Sequence, residues 1–585
     1  VELPLQQLEP ARRARVRDHH WWRSVPWSAP DVEQLFSDKP LASSVILALP
    51  VGTPQAQASI TTSAQARAAG LKLIVFISVD QMRGDYIDKF RHQWTKGLKR
   101  MVSEGAWFRE ADYPYFNTVT CAGHASMSTG TLPAVHGMIL NTWWDRAAQK
   151  VISCTDDESK KLITYGGPAR GVGHSAERLL TTTIADELRL QLRTPPRAVS
   201  ISLKARSAIN LGGHRPDAVI WLDEETAEWV TSTAFAKGPA PFFAEYINAH
   251  PVRGEISRTW DRLLPRDQYL YEESAIGRQR TALATTGFPH LVRGKGNELD
   301  GSFSDAWESS PYSDAYLAAL ASHAVDALRL GRNNTIDFLG ISFSALDKVG
   351  HDFGPQSHEV QDVLIRLDRE VGTLLEKLDR DVGIGNYTVA LTADHGVGPV
   401  PEQMAAQGFD AGRISATAVG WAVDDVLTKL LGPGTRRTRV LNTDIYFTEG
   451  VYQQLVQNPS AMEAVLETIR RTPGVWRVYR KEALLGAGND PNPLVRAAAL
   501  GYFEGRSGDL IMLQRSYWIT STSTATHGTG HRYDTRVPVL LFGRGIAKGE
   551  YLQPAAPIDL APTLALLAGI TLPDARGRVL AEALK

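Results

Sequence analysis

Three aspartates and three histidines stand where packing alone gives no reason for them. Asp80 lies in SVDQMRGDY, Asp347 and His351 in SFSALDKVGHDFGP, Asp394 and His395 in VALTADHGVG, and His527 in TATHGTGHRYD. Each fragment alone has an ordinary explanation. An Asp after a strand is most often a helix cap, and an Asp-His pair is most often a hydrogen-bonded surface feature. The set is more informative than its members. Mixed carboxylate and imidazole donors suit Zn²⁺ better than Mg²⁺ or Ca²⁺, which take oxygen ligands. Six donors are too many for one tetrahedral zinc and suit two. The spacing of four between Asp347 and His351 would put both side chains on one helical face.

A nucleophile of the right kind is also present. Thr120 sits in YFNTVTCAGHASMSTG, ahead of small residues that can open a helix. A helix N-terminus offers free N–H groups and positive dipole to an anion. A threonine hydroxyl is a poor nucleophile until a metal or base lowers its pKa, and without one Thr120 reads as a simple N-cap.

These residues need a scaffold that brings loop ends together. Apolar runs at 71–80, 198–203, 218–222, 337–343, 387–391 and 537–542 read as buried strands. Between them lie helical patterns, the clearest being Val360, Val363, Leu364, Leu367, Val371, Leu374, Leu375 and Leu378. Strand-helix alternation predicts a doubly wound α/β fold with a mainly parallel sheet and helices on both faces. Ligands of such folds sit beyond the carboxyl ends of the strands. Residues 71–398 and 519–585 read as the two parts of this core. Residues 399–518 break the alternation with Gly and Pro clusters and read as an inserted cap.

Composition narrows the alternatives. Of 585 residues, 43% are hydrophobic and 22% charged, which is ordinary for a globular chain. Lys plus Arg is 63 and Asp plus Glu is 64, so no basic excess advertises a nucleic-acid partner. No apolar run is long enough to predict a transmembrane helix. A shorter run at 41–51 is preceded by Lys39 and followed by Ala56-Gln57-Ala58, the order of a secretory signal peptide. The same run is also what a buried element looks like. Residues 1–70 are therefore expected to be leader plus linker, and the protein periplasmic or secreted. With two cysteines, Cys121 and Cys154, a four-cysteine metal site is excluded. In an oxidising compartment the pair could close a disulfide loop; two free buried thiols are the alternative.

Taken together, these segments resemble the alkaline phosphatase superfamily. Within it they are most similar to the bacterial phosphate-irrepressible alkaline phosphatases that use a threonine nucleophile. The motif T-x-x-G-H-A-S matches Thr120 to Ser126, which implies that Thr120 is the nucleophile. The resemblance places the phosphate-binding Asn at Asn141, in HGMILNTWWD, and the S-x-K-x-R segment at Ser202 to Arg206. It implies one zinc on Asp347, His351 and His527, and a second on Asp80, Asp394, His395 and the Thr120 oxygen. Asn141, Lys204 and Arg206 would then bind the non-bridging phosphate oxygens. At Cys121 the sequence departs from some members, where Gly is also seen.

The activity this implies is hydrolysis of small phosphate monoesters by a monomer, with a broad range of alcohols and a phosphothreonine intermediate. Lys204 and Arg206 favour a monoester dianion, which has three charged terminal oxygens. The related nucleotide pyrophosphatases/phosphodiesterases carry T-F-P-N at the nucleophile, whereas Cys121 follows Thr120 here. A phosphodiesterase on the same scaffold remains the second reading, and a non-catalytic zinc- or phosphate-binding protein a remote third. No C-x-P-x-R segment supports a sulfatase.

Overall fold

In the run LIVFISV every side chain is buried, and successive residues point to opposite faces of the strand. Leu73, Val75, Ile77 and Val79 enter one hydrophobic cluster, while Ile74 and Phe76 enter another. A strand that is apolar on both faces must lie inside a sheet covered on both sides. The structure, a computed structural model, describes residues 70–585 apart from 280–282, 284–286 and 296–297. The expected leader at 1–69 lies outside the described residues.

Ten strands form the main sheet. In chain order they are β1 (Leu73–Val79), β2 (Ala106–Phe108), β3 (Leu162–Thr164), β4 (Ala198–Ser202), β5 (Ala218–Asp223), β6 (Glu228–Ser232), β7 (Asp337–Phe343), β8 (Tyr387–Thr392), β9 (Val539–Gly543) and β10 (Gly549–Tyr551). Their spatial order is β10-β2-β9-β8-β1-β7-β4-β5-β6-β3. The central five, β8-β1-β7-β4-β5, are parallel. All six predicted strands are present, and the doubly wound α/β reading holds. The short flanking strands carried no readable pattern, because three apolar residues are common anywhere.

Strand direction decides one point. His527 precedes β9, and a residue preceding a parallel strand would fall at the edge opposite the carboxyl ends. However, β9 runs antiparallel to β8, with Val539 paired to Thr392, the last residue of β8. The start of β9 therefore lies at the same edge as the ends of β8, β1, β7 and β4. Those ends are level, since Val79 pairs with Phe343, Ser78 with Thr392, and Ser342 with Ser202. Loops leaving them start within a few ångströms of one another, because neighbouring strands are about 4.8 Å apart.

Five helices matter for the site and its support: α1 (Thr120–Thr129), α2 (Ala205–Gly212), α3 (Pro311–Ala327), α4 (Ala345–Phe353) and α5 (His358–Leu378). Ser357 caps α5 by accepting the Val360 N–H at 3.2 Å. The eight apolar α5 positions read from the sequence are all buried in the same cluster as the odd-numbered face of β1. On the other face, Leu560, Leu564 and Leu567 of a later helix cover Ile74 and Phe76. Within 399–518, the strands Thr438–Leu441, Asp444–Phe447, Val475–Arg480 and Leu510–Gln514 make a separate antiparallel sheet with its own apolar cluster. Among the described residues no helix is long and apolar enough to cross a membrane.

Packing of α5 on the sheet sets the first prediction. Leu367 is 1% exposed in the main cluster. Leu367→Ala should lower unfolding free energy by about 2–5 kcal/mol through lost transfer and a residual cavity. Urea unfolding checks it; a loss under about 1 kcal/mol would mean that the helix does not pack as described.

Candidate active site

Each strand end delivers one part of the site. Asp80 follows β1 directly, and its N–H donates to the Phe343 carbonyl at the end of β7 (2.9 Å). Ser344 links β7 to α4, so Asp347 and His351 lie one turn apart on that helix. His351 Nε2 is 3.2 Å from Asp347 Oδ1, as the spacing predicted. Asp394 and His395 follow β8, and His395 Nε2 is 3.2 Å from Asp394 Oδ2 and 3.5 Å from Asp80 Oδ1. His527 Nε2 comes within 3.7 Å of Asp347 Oδ1, and the His395 and His527 rings stack at 3.4 Å.

The imidazoles share one orientation. His351 Nδ1 faces the Ala525 carbonyl (2.8 Å), His527 Nδ1 the Thr118 carbonyl (2.8 Å), and His395 Nδ1 the Gly396 carbonyl (3.0 Å). A backbone carbonyl can only accept, so each Nδ1 carries the proton and each Nε2 presents a lone pair to the centre. That is how metal-binding histidines are held.

Two ligand clusters result. Asp347, His351 and His527 form one, and Asp80, Asp347 and His395 the other, with ligand atoms within 4.8 Å of one another in each. Asp347 stands in both, whereas the sequence reading assigned it to the first alone. Asp394 joins through His395. Asp80 Oδ1, Asp394 Oδ2 and His395 Nε2 are buried without a hydrogen-bond partner. Buried polar atoms are normally paired, and buried charges are paired or coordinate metals. The donor set and its orphaned atoms fit divalent metal.

Electrostatics point the same way. Burial, with Asp347 and Asp394 alongside, pushes the Asp80 carboxyl well above the usual range. Burial also opposes charge on Asp347, but the Lys204 ammonium and His351 outweigh it and hold that carboxyl well below. Burial pushes the imidazoles of His395 and His527 down, keeping them neutral and able to ligate near pH 7. Lys204 Nζ donates to Asp80 Oδ2 (2.6 Å) and Asp347 Oδ2 (2.5 Å). The sequence reading placed it on phosphate; here it neutralises carboxylates.

Thr120 is the first residue of α1 and is buried. Three contacts join its surroundings to the ligand loops. His124 Nδ1 lies 2.9 Å from the Thr120 carbonyl and 3.3 Å from Asp394 Oδ2. Gly123 has no room for a side chain, since a Cβ there would come within 2.2 Å of the Asp394 carbonyl. Thr118, two residues before Thr120, holds His527. Asn141 Oδ1 accepts the Cys121 N–H at 2.9 Å, which turns its NH₂ away from the helix. The Asn141 carbonyl accepts the Cys154 N–H at 2.9 Å, and Cys121 and Cys154 are disulfide-bonded. Arg206 lies in the first turn of α2, and its Nε is buried without a hydrogen-bond partner. All ten predicted residues lie at the same sheet edge or on the segments bonded to it. Two more were missed: His124, visible only as part of the T-x-x-G-H motif, and Gln81, adjacent to Asp80.

Residues 74–534 match the Type I phosphodiesterase / nucleotide pyrophosphatase family. The chain belongs to that family. It lies within the alkaline phosphatase superfamily and is a hydrolase acting on phosphoric esters. The chain is 30% identical over 522 residues to alkaline phosphatase PafA of Elizabethkingia meningoseptica, covering 86% of this chain and 92% of that one. It is 30% identical over 525 residues to alkaline phosphatase PhoV of Synechococcus elongatus, covering 88% and 93%. The crystal structure of wild-type PafA superposes with a TM-score of 0.80 at 29% identity, covering 88% of this chain and 99% of that one. These relatives make this family member a phosphatase.

The disulfide carries a prediction of its own. It closes a loop of 33 residues, worth about 3–4 kcal/mol in the chain-entropy account. Cys121→Ala with Cys154→Ala should lower unfolding free energy by about that much and raise KM, as Asn141 loosens. Denaturant unfolding beside initial rates checks both; unchanged stability and KM would make the link dispensable.

Proposed function

We propose that this chain is an exported, two-zinc alkaline phosphatase that cleaves phosphate monoesters through a phosphothreonine. One observation carries the reading: three imidazoles and three carboxylates converge beside a threonine that opens a buried helix. Asp347, His351 and His527 would hold one zinc, and Asp80, Asp394 and His395 the other, with the Asp347 carboxylate standing between the two groups. Bound there, two dications would supply the charge that activates a hydroxyl and steadies the attacking and leaving oxygens.

The chain's own groups do the rest. Thr120 Oγ1 attacks phosphorus, the ester P–O bond breaks opposite it, and the alcohol departs. Water then attacks the phosphothreonine, releasing phosphate and restoring the hydroxyl. Positioning and charge stabilisation dominate such transfers. The Asn141 NH₂, freed by the contact of its oxygen with Cys121, and the Arg206 guanidinium would bind non-bridging oxygens. Metal binding by Asp80 and Asp347 would compete with Lys204 for the same carboxylates and release its ammonium toward phosphate. Three such donors favour a dianion over a diester, which carries one charge. A buried disulfide beside the nucleophile supports an oxidising compartment, periplasmic or extracellular. The family name keeps a phosphodiesterase as the second reading.

Thr120→Ala should abolish phosphoenzyme trapping and lower kcat by at least about 10³-fold, with zinc content retained. Undiminished turnover would sink the mechanism. Arg206→Ala should lower kcat/KM for p-nitrophenyl phosphate by at least tenfold more than for bis-p-nitrophenyl phosphate, because it removes a charge-assisted contact that only the monoester fully uses. Equal losses on the two esters would favour the diester reading.

A further inference from the structure

Gln81 has a backbone that its side chain alone would not choose. Its φ is +69°, in the left-handed region that suits glycine. Strain of this kind persists where surrounding contacts impose it, and it gathers at functional sites. The contacts are specific. The Gln81 N–H donates to Asp394 Oδ1 at 3.1 Å. Its side-chain Nε2 donates to Asp347 Oδ1 at 2.6 Å and to the Asp347 carbonyl at 3.3 Å. On the facing helix, Gly350 makes room: a Cβ there would come within 1.7 Å of Gln81 Oε1.

The topology shows what this achieves. Gln81 follows β1, which lies between β7 and β8. Asp347 comes from beyond β7 and Asp394 from beyond β8. A residue leaving the middle strand is placed to reach both, and the turned backbone sends the N–H to one carboxylate and the amide to the other. With Oδ1 of Asp394 engaged, Oδ2 is the atom left bare toward His395 and His124.

We infer that Gln81 is a positioning residue that fixes the two metal-binding groups relative to each other, one hydrogen bond to a carboxylate of each. The inference rests on the two-zinc reading above. Partners that orient ligands in this way contribute roughly 10–100-fold to metal affinity. Because Asp347 stands in both clusters, losing the Gln81 amide weakens both equivalents rather than one.

The test uses the full chain, loaded with zinc and titrated with a competing chelator. Gln81→Gly keeps the backbone donor to Asp394, accommodates the positive φ, and removes the amide. Both zinc equivalents should leave at about tenfold lower free chelator than in wild type, while the metal-free variant melts no lower than the metal-free wild type. Gln81→Glu, of the same shape but without the donor, should weaken zinc at least as much. Wild-type-like release from Gln81→Gly, or weakening of a single equivalent, would overturn the inference. So would a fall in metal-free melting temperature that accounts for the loss, since that would make Gln81 merely structural. A wild-type chain that binds no zinc would instead remove the two-zinc reading, and this inference with it.

Discussion

Everything at this sheet edge answers to one constraint: three carboxylates are buried together with a single lysine ammonium between them. Asp80 and Asp394 are fully buried and Asp347 nearly so. Unpaired buried charge is among the costliest features a fold can carry. Lys204 offsets part of it and His351 a further part at Asp347, while His395 and His527, pushed down by burial, offset none. The excess negative charge makes the site a receptor for dications, and it makes every other contact a matter of holding like charges in place.

The fold meets that demand with level strand ends rather than with one long loop. Parallel β8, β1, β7 and β4 end side by side, and each supplies ligands or donors within a few residues of its last hydrogen bond. The residues between strand and ligand are therefore few, and little freedom is left to them. Antiparallel β9 brings a sixth ligand to the same edge from the opposite chain direction.

The Thr120 side is assembled differently. Thr120, Asn141 and Cys154 belong to segments held by backbone hydrogen bonds and one disulfide rather than by the sheet itself. Gly123 lets the first turn of α1 rest against the backbone of Asp394. Any side chain at Gly123 would force them apart.

The sequence by itself determined the core strands, the α5 stripe and the Asp347–His351 helical pair, and it named ten candidate site residues, Asn141, Lys204 and Arg206 among them only through the family resemblance. It could do so because buried strands are apolar without interruption, helical faces repeat at 3.6 residues, and ligand types are written directly in the residue names. The tertiary structure alone decided three things. The direction of β9 is one: a strand's polarity leaves no mark on its apolar pattern, yet it determines which edge His527 reaches. Another is the role of Asp347 in both clusters and the pairing of Lys204 with Asp80 and Asp347, which depend on distances between residues on different strand ends. The last is Gln81. Its type is unremarkable in sequence, and its function comes from a backbone turn between two strands that only the assembled sheet sets next to each other.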